Sequence, residues 1–290
     1  MAYFLALASA ALYGAADFLG GLASRRASTI SIVIISQVTG LPPLLLMLLL
    51  LPASPSAPDF LWGAAAGVAG SVGVGLLYRG LAVGTMSVVA PTTAVCAVIL
   101  PVLVEAFRGE RLPRPTVAGI ALAIVAIVLV SRPGPPGPGA AAAPDAPERR
   151  LRSSLLPPGM GLALMSGIAI GLFFLSLART SPMAGLWPLL ASRTVSFVLF
   201  GIIALAGSRS LRMPGAVLAT AVACGVVDML ANALYVFATH HGSLSVVVTL
   251  SSLYPASTVV LARVVVGERL SRVQMGGIVC ALVAVTLIVG

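Results

Sequence analysis

Residues 105–130 read EAFRGERLPRPTVAGIALAIVAIVLV, and residues 263–288 read RVVVGERLSRVQMGGIVCALVAVTLI. Each stretch places a Gly-Glu-Arg-Leu turn directly before a long apolar run, and the two copies are offset by 158 residues. The same offset pairs Ser87-Val88-Val89 with Ser245-Val246-Val247, so the match is collinear over a long stretch of chain. The sequence therefore predicts two homologous halves.

The composition identifies the solvent of these halves. The chain has 290 residues, of which 59% are hydrophobic and only 9% are charged, whereas soluble domains carry about 25% charged residues. A water-soluble core cannot bury so large an apolar fraction, so the chain is expected to lie in a lipid bilayer. The net charge of +9 does not indicate a nucleic-acid partner, because the basic residues are scattered between apolar runs, as in membrane loops.

Ten apolar stretches approach the length of about 20 residues that a helix needs to cross the hydrocarbon core. They predict an all-α integral membrane protein with spans at residues 2–22, 30–51, 60–82, 86–107, 114–131, 158–179, 184–207, 213–239, 243–266 and 271–289. Residues 132–157 are rich in proline, glycine and charge, which is typical of a flexible linker.

We therefore expect a first repeat at residues 1–131 and a second at 158–290. Because five is an odd number of spans, the second repeat must enter the membrane in the opposite sense, as in many secondary transporters. Twelve of the seventeen arginines lie in one set of loops and four in the other. The positive-inside rule then places the linker in the cytoplasm and both termini outside.

Two five-helix halves, each with a GERL turn before its last helix, resemble the drug/metabolite transporter superfamily and in particular its EamA-type branch. The resemblance rests on Gly109-Glu110-Arg111-Leu112 and Gly267-Glu268-Arg269-Leu270, and it covers the chain apart from the linker. It implies transport of small molecules across the cell inner membrane by alternating access without ATP hydrolysis. Amino acids, toxic metabolites, nucleotide sugars and drugs are all substrates within the superfamily.

Three ionisable residues stand out inside the predicted spans: Asp17, Arg193 and Asp228. Such groups are costly in lipid and normally face a cavity or a partner. Tyr13 shares a helical face with Asp17, and the stripe of Asp228 continues through Asn232 and Tyr235. We expect these stripes to converge on a transport site formed by Tyr13, Asp17, Trp187, Arg193, Asp228, Asn232, Tyr235 and Ser252.

Each of these groups has two interpretations. Asp228 either carries a proton or binds a substrate amine, or else it forms a static ion pair with Arg193 that holds two helices together. Arg193 either anchors a substrate carboxylate or phosphate or only pairs with Asp228. Asn232 and Tyr235 either line the cavity or hydrogen-bond helices to one another. Asp17 is either a second transport carboxylate or an interfacial partner of Arg25 or Arg26.

Other features of the sequence are expected to be structural. Glu110 and Glu268 are predicted to cap the helix that follows each GERL turn, and Gly63, Gly67 and Gly75 are predicted to permit close helix packing. The sequence has no Walker loop, no HExxH motif and no cysteine pattern for metal binding. We therefore expect no enzyme activity, no metal and no other cofactor.

The sequence thus favours a proton-coupled exporter of small organic metabolites or drugs, with lipid, substrate and protons as its partners. An uncoupled uniporter or exchanger is the alternative within the same class. A membrane-embedded lipid-handling enzyme or scramblase, which would use the three ionisable groups on a headgroup, is a further alternative that the internal repeat disfavours. The protein is expected to be a monomer or a homodimer.

Overall fold

The structure is a computed structural model that describes residues 1–107, 113–130, 157–207, 213–241, 247, 250, 251 and 253–289. These residues form helices and connecting turns, with no strand among them. The helices are α1 (Ala2–Ser24), α2 (Thr29–Leu50), α3 (Ala57–Val83), α4 (Met86–Phe107), α5 (Arg114–Val130), α6 (Met160–Leu177), α7 (Trp187–Ala206), α8 (Gly215–His241), α9 (Tyr254–Leu261) and α10 (Arg272–Val289). The expectation of an all-helical protein is confirmed for the described residues.

Six of the described helices are long and apolar enough to cross a membrane: α1, α2, α3, α6, α7 and α8. At 1.5 Å per residue, the 23 residues of α1 extend about 34 Å, slightly more than the hydrocarbon thickness of about 30 Å. The outer surface is apolar as well, since Leu49, Leu205 and Val264 each leave more than three-quarters of their surface exposed. Lipid is the solvent that such a surface requires, so the chain is a multi-pass membrane protein.

Helices from the two ends of the chain are interleaved. Helix α1 packs most extensively against α8, α5 packs against α10, and α3 packs against both α6 and α7. Helix α4 lies against α6, while α2 lies against α7 and α8. Most of the bundle's interior is therefore formed between residues that are far apart in the sequence.

The glycines of α3 explain why that helix approaches α7 so closely. A Cβ atom at Gly63 would lie 2.5 Å from the carbonyl oxygen of Pro188, and one at Gly67 would lie 2.6 Å from that of Ser192. Gly75 faces the ring of Phe200, which a Cβ atom would approach to 3.1 Å. The predicted packing role of these glycines is confirmed.

At one end of the bundle, which we call the Asp59 end, a carboxylate ties two loops together. Asp59 accepts hydrogen bonds from the backbone N–H and hydroxyl of Ser56, at 2.8 and 2.6 Å, which caps α3. It also accepts one from the N–H of Ser181, at 2.6 Å, in the connection between α6 and α7. This carboxylate therefore joins the start of α3 to a loop that lies more than a hundred residues away.

At the opposite end, which we call the Glu268 end, a glutamate of the second GERL turn caps a different helix from the one predicted. Glu268 accepts hydrogen bonds from the N–H groups of Met86 and Ser87, at 2.8 and 2.9 Å, and from the Ser87 hydroxyl at 2.8 Å. These groups belong to the N-terminus of α4, whereas α10, the following helix, is capped by reciprocal hydrogen bonds between Ser271 and Gln274. The prediction that Glu268 caps the following helix is therefore wrong.

The backbone explains this change of partner. The chain leaves α9 through a π-helical turn, Ala262–Val266, and reverses at Gly267, whose φ of +73° is the left-handed conformation that glycine adopts without strain. The reversal lets the carboxylate of Glu268 reach the connection between α3 and α4. Glu110, the equivalent residue of the first GERL turn, lies outside the described residues.

Candidate functional site

An ion pair lies inside the bundle, between α7 and α8. Arg193 and Asp228 form it, and their side chains are 12% and 27% exposed, so neither is fully buried. The second terminal nitrogen of the guanidinium, Nη1, donates to Oε1 of Gln37 at 2.7 Å, and Nε2 of Gln37 donates to the hydroxyl of Ser196 at 2.9 Å. Three helices, α2, α7 and α8, are thus joined by one polar chain.

Two glycines allow these three helices to meet. A Cβ atom at Gly225 of α8 would lie 2.2 Å from the carbonyl oxygen of Ser36, which shows that α2 and α8 touch there through their backbones. A Cβ atom at Gly40 would lie 3.0 Å from Nη1 of Arg193. Small residues at these positions therefore leave room for the guanidinium beside α2.

Gln37 is a member of this chain that the sequence reasoning missed. The available signal was an amide side chain in the middle of an apolar run, TISIVIISQVTGLPPLLLMLLL. An uncharged polar residue costs less in lipid than a charged one, so it stood out less than Arg193 did. Its position nevertheless supplies the acceptor that the second guanidinium nitrogen needs.

Asp17 of α1 lies near this pair but differs from Asp228 in its bonding. It is enclosed by protein and lies within electrostatic range of Asp228, yet part of its surface remains accessible. It forms no ion pair or hydrogen bond among the residues that the structure describes. Asp17 is therefore a half-buried carboxylate among the helices.

The interfacial pairing considered for Asp17 does not occur. Arg25 instead forms an ion pair with Glu268 at 3.3 Å, and it donates to the carbonyl oxygens of Leu81 and Gly84 at 3.4 and 3.3 Å. The guanidinium therefore belongs to the Glu268 end of the bundle. Asp17 is left as a carboxylate inside the bundle without a cationic partner among the described residues.

Tyrosine side chains surround the two carboxylates. Tyr13, one helical turn before Asp17, lies within electrostatic range of Asp17, Asp228, Arg193 and Tyr235. Its ring meets that of Tyr254 edge to face, with 6.5 Å between centroids. The close approach of α9 to α1 places Tyr254 there, since a Cβ atom at Gly14 would lie 2.2 Å from the Tyr254 carbonyl oxygen.

A second polar contact lies on the Glu268 side of this group. The hydroxyl of Tyr78 lies 3.2 Å from Sγ of Cys224, and that thiol donates to the carbonyl oxygen of Ala16 at 3.3 Å. A Cβ atom at Gly20 would lie 2.3 Å from the ring of Tyr78, so the ring lies directly on α1. Helices α1, α3 and α8 are therefore packed tightly one turn beyond Asp17.

The remaining predicted site residues lie in different surroundings. Asn232 donates to the carbonyl oxygen of Asp228 in its own helix, at 2.8 Å, so this hydrogen bond does not join two helices. Trp187 lies at the first position of α7 and packs edge to face on Phe60, with 6.1 Å between centroids, near the Asp59 end. Ser252 lies outside the described residues.

The structure thus brings together five of the predicted residues, Tyr13, Asp17, Arg193, Asp228 and Tyr235. Asp17, Arg193 and Asp228 are the charged members of this group. Two carboxylates and one guanidinium leave an excess of one negative charge when all three are ionised. Among the described residues, no group of three His, Cys, Asp or Glu side chains could hold a metal ion.

Comparison with known families completes the description of the site. The sequence matches the model of the EamA-like transporter family over residues 1–132 and 157–290, which is nearly the whole chain. No curated protein matches the sequence. The matched ranges include every helix that contributes a side chain to the site.

Proposed function

Because the chain belongs to the EamA-like transporter family, we propose that it moves small organic metabolites or drugs across the cell inner membrane by alternating access, as a proton-coupled exporter. The match indicates a family of transporters and not a family of enzymes. The observation that carries the proton coupling is the state of Asp17, a carboxylate inside the bundle with no ion pair or hydrogen bond among the described residues.

An ionised carboxylate without a partner is costly inside a membrane protein. The charge of Asp17 must therefore be balanced by a bound proton or by a positively charged group of the substrate. A group that alternates between these two states as access alternates would couple the movement of the proton to that of the substrate. We assign this role to Asp17.

Asp228 is the less suitable proton carrier in this conformation. Its carboxylate already faces Arg193, and Arg193 is held in turn by Gln37. Releasing Asp228 requires the separation of an ion pair and the movement of α7 relative to α8. We therefore propose that the Arg193–Asp228 pair forms a neutral polar wall of the site, which rearranges when the bundle changes its direction of access.

The packing of the helices supports an inverted repeat of residues 1–131 and 158–290, connected by the linker 132–157. When helices α1–α5 are matched in order with α6–α10, the α1–α8 contact is equivalent to the α6–α3 contact. The α2–α8 contact is equivalent in the same way to the α7–α3 contact. The α4–α6 contact likewise becomes the α9–α1 contact. This pairing is what a two-fold axis in the membrane plane would produce.

The two ends of the bundle support the proposed orientation. Arg25, Arg79 and Arg272 lie at the Glu268 end, where the connections between α1 and α2, α3 and α4, and α9 and α10 lie. We propose that this end is cytoplasmic by the positive-inside rule, with both termini outside.

A direct test uses proteoliposomes that enclose a pH-sensitive dye. A panel of organic amines, amino acids, organic acids and cationic dyes is added under a pH gradient, and substrate-dependent proton movement is recorded. Asp17→Asn is expected to abolish proton movement while substrate binding remains detectable. Asp59→Asn, the same change at the bundle end, is the matched control and is expected to retain coupling.

Two outcomes would change the proposal. If Asp17→Asn moves protons at the rate of the parent protein, Asp17 is not the proton carrier. If the parent protein moves a substrate without any dependence on the pH gradient, the protein is an uncoupled uniporter or exchanger. The Arg193–Asp228 ion pair supports this second function, because a carboxylate held in an ion pair is not free to carry a proton.

A further inference from the structure

An apolar groove opens on the surface of the bundle between α2, α3 and α7, on the side of the Glu268 end. Its volume is about 230 Å³, and aliphatic side chains form most of its walls, including Ile30, Val72, Leu76, Leu199 and Ile203. Gly75 and the ring of Phe200, which lie in direct contact, form part of its floor. The groove is separate from the polar site around Asp17 and Arg193.

Polar groups lie at both ends of the groove, and those at one end have no partner among the described residues. Ser71 at its deeper end already donates its hydroxyl to the Gly67 carbonyl, at 2.6 Å, so it offers no free donor. Arg79 and Thr29 also line the groove, and neither side chain has an ion pair or hydrogen bond among the described residues. Arg79 is exposed. The groove is therefore amphipathic, with apolar walls and a free positive charge at one end.

The groove runs parallel to the helices, which is the direction of a lipid chain beside them, and accommodates part of such a chain. From Ser71 to Arg79 the groove follows α3 for eight residues, a distance of about 12 Å at 1.5 Å per residue. Arg79 lies one turn before the end of α3 at Val83. An arginine near the end of a membrane helix can extend its aliphatic stem along the hydrocarbon and its guanidinium to the headgroup level.

We propose that this groove binds one acyl chain of an anionic phospholipid, with the phosphate held by Arg79. The chain fits the apolar walls, and the unpaired guanidinium complements the charge of the headgroup. Because α3 and α7 form opposite walls, the bound lipid joins the first half of the chain to the second. This inference does not depend on the transported substrate or on proton coupling.

The test measures lipid selectivity on the purified protein in neutral detergent. Phosphatidylglycerol and phosphatidylcholine with identical acyl chains are added in equal amounts, and the bound ratio is read by native mass spectrometry. The parent protein is expected to prefer phosphatidylglycerol. Arg79→Gln is expected to reduce this preference roughly fivefold, which corresponds to about 1 kcal/mol for one arginine near an anionic surface.

Arg26→Gln is the matched control, since Arg26 is exposed at the same end of the bundle but does not line the groove. It is expected to retain the preference. Leu76→Trp fills the groove and is expected to reduce the binding of both lipids, with thermal unfolding as the check that the variant is folded. Glycerol phosphate and inorganic phosphate, which lack a chain, are expected to leave the unfolding temperature unchanged.

The proposal is overturned by any of five results. These are equal binding of the two lipids to the parent protein, an equal loss of preference in Arg79→Gln and Arg26→Gln, and full lipid binding by folded Leu76→Trp. The fourth is stabilisation by free phosphate compounds equal to that by phosphatidylglycerol, which would indicate a site for soluble anions. A lipid-free dimer that excludes added lipid would show that a second copy of the chain covers the groove, and it would also overturn the proposal.

Discussion

Replacing Glu268 tests whether one side chain joins the two halves of the chain. Its carboxylate accepts three hydrogen bonds from the N-terminus of α4, through Met86 and Ser87, and forms an ion pair with Arg25. Glu268→Ala removes all of these acceptors at once. The N–H groups of the first turn of α4 then lose their partner, and the favourable interaction of a carboxylate with the helix dipole is lost.

The expected loss in the free energy of unfolding follows from the surroundings of each hydrogen bond and of the ion pair. Loss of an N-cap side chain costs about 0.5–2 kcal/mol, and hydrogen bonds to a charged group contribute about 1.5–3 kcal/mol. The Arg25 contact adds at most about 1 kcal/mol, because the arginine side chain is 26% exposed. Since these contributions overlap, we expect Glu268→Ala to lower the free energy of unfolding by about 2–3 kcal/mol.

The assay is equilibrium unfolding of the purified protein in mixed micelles of mild and denaturing detergent. Arg25→Gln is the control, and it is expected to cost less than about 1 kcal/mol, since it leaves the cap of α4 intact. A double-mutant cycle between the two positions should give a coupling of the same small size. Equal losses for Glu268→Ala and Arg25→Gln would show that the cap of α4 contributes nothing, and the reasoning would be refuted.

Three further outcomes are expected from the interior. Arg193→Leu leaves Asp228 unpaired and should lower the free energy of unfolding by about 3 kcal/mol. Adding Asp228→Leu to this variant should restore much of that loss, as measured by unfolding in mixed micelles. If the losses of the two substitutions are additive, the prediction is wrong. Gly67→Ala places a methyl group against Ser192 and should cost about 1–3 kcal/mol. Gly201→Ala should be neutral or stabilising by up to about 1 kcal/mol, because nothing lies within 4 Å of an added Cβ atom there. Equal effects of Gly67→Ala and Gly201→Ala on the free energy of unfolding would refute the packing explanation.

Much of the secondary structure could be predicted because it depends on local composition. The described helices begin and end within a few residues of most predicted spans: α1 ends at Ser24 and α2 begins at Thr29. The glycines of α3 could also be assigned to packing, because a ridge of small residues in a membrane helix has few other uses. Partners could not be predicted in the same way, as Glu268 shows, since it caps a helix whose first residues lie 181 and 182 residues away in the sequence.

The charged residues of the interior show the same difference between features that depend on local sequence and features that depend on tertiary contacts. By itself, the sequence determined that this chain resides in lipid, and it predicted two related halves and an interior that contains Asp17, Arg193 and Asp228. Only the tertiary structure decided that Arg193 pairs with Asp228 and Gln37, that Arg25 pairs with Glu268, and that Asp17 has no such partner. Hydrophobicity adds along the chain and can be read locally, whereas an ion pair requires two helices to be rotated and packed so that their side chains meet. Those rotations depend on close backbone contacts such as that of Gly225 with Ser36, which no single segment specifies.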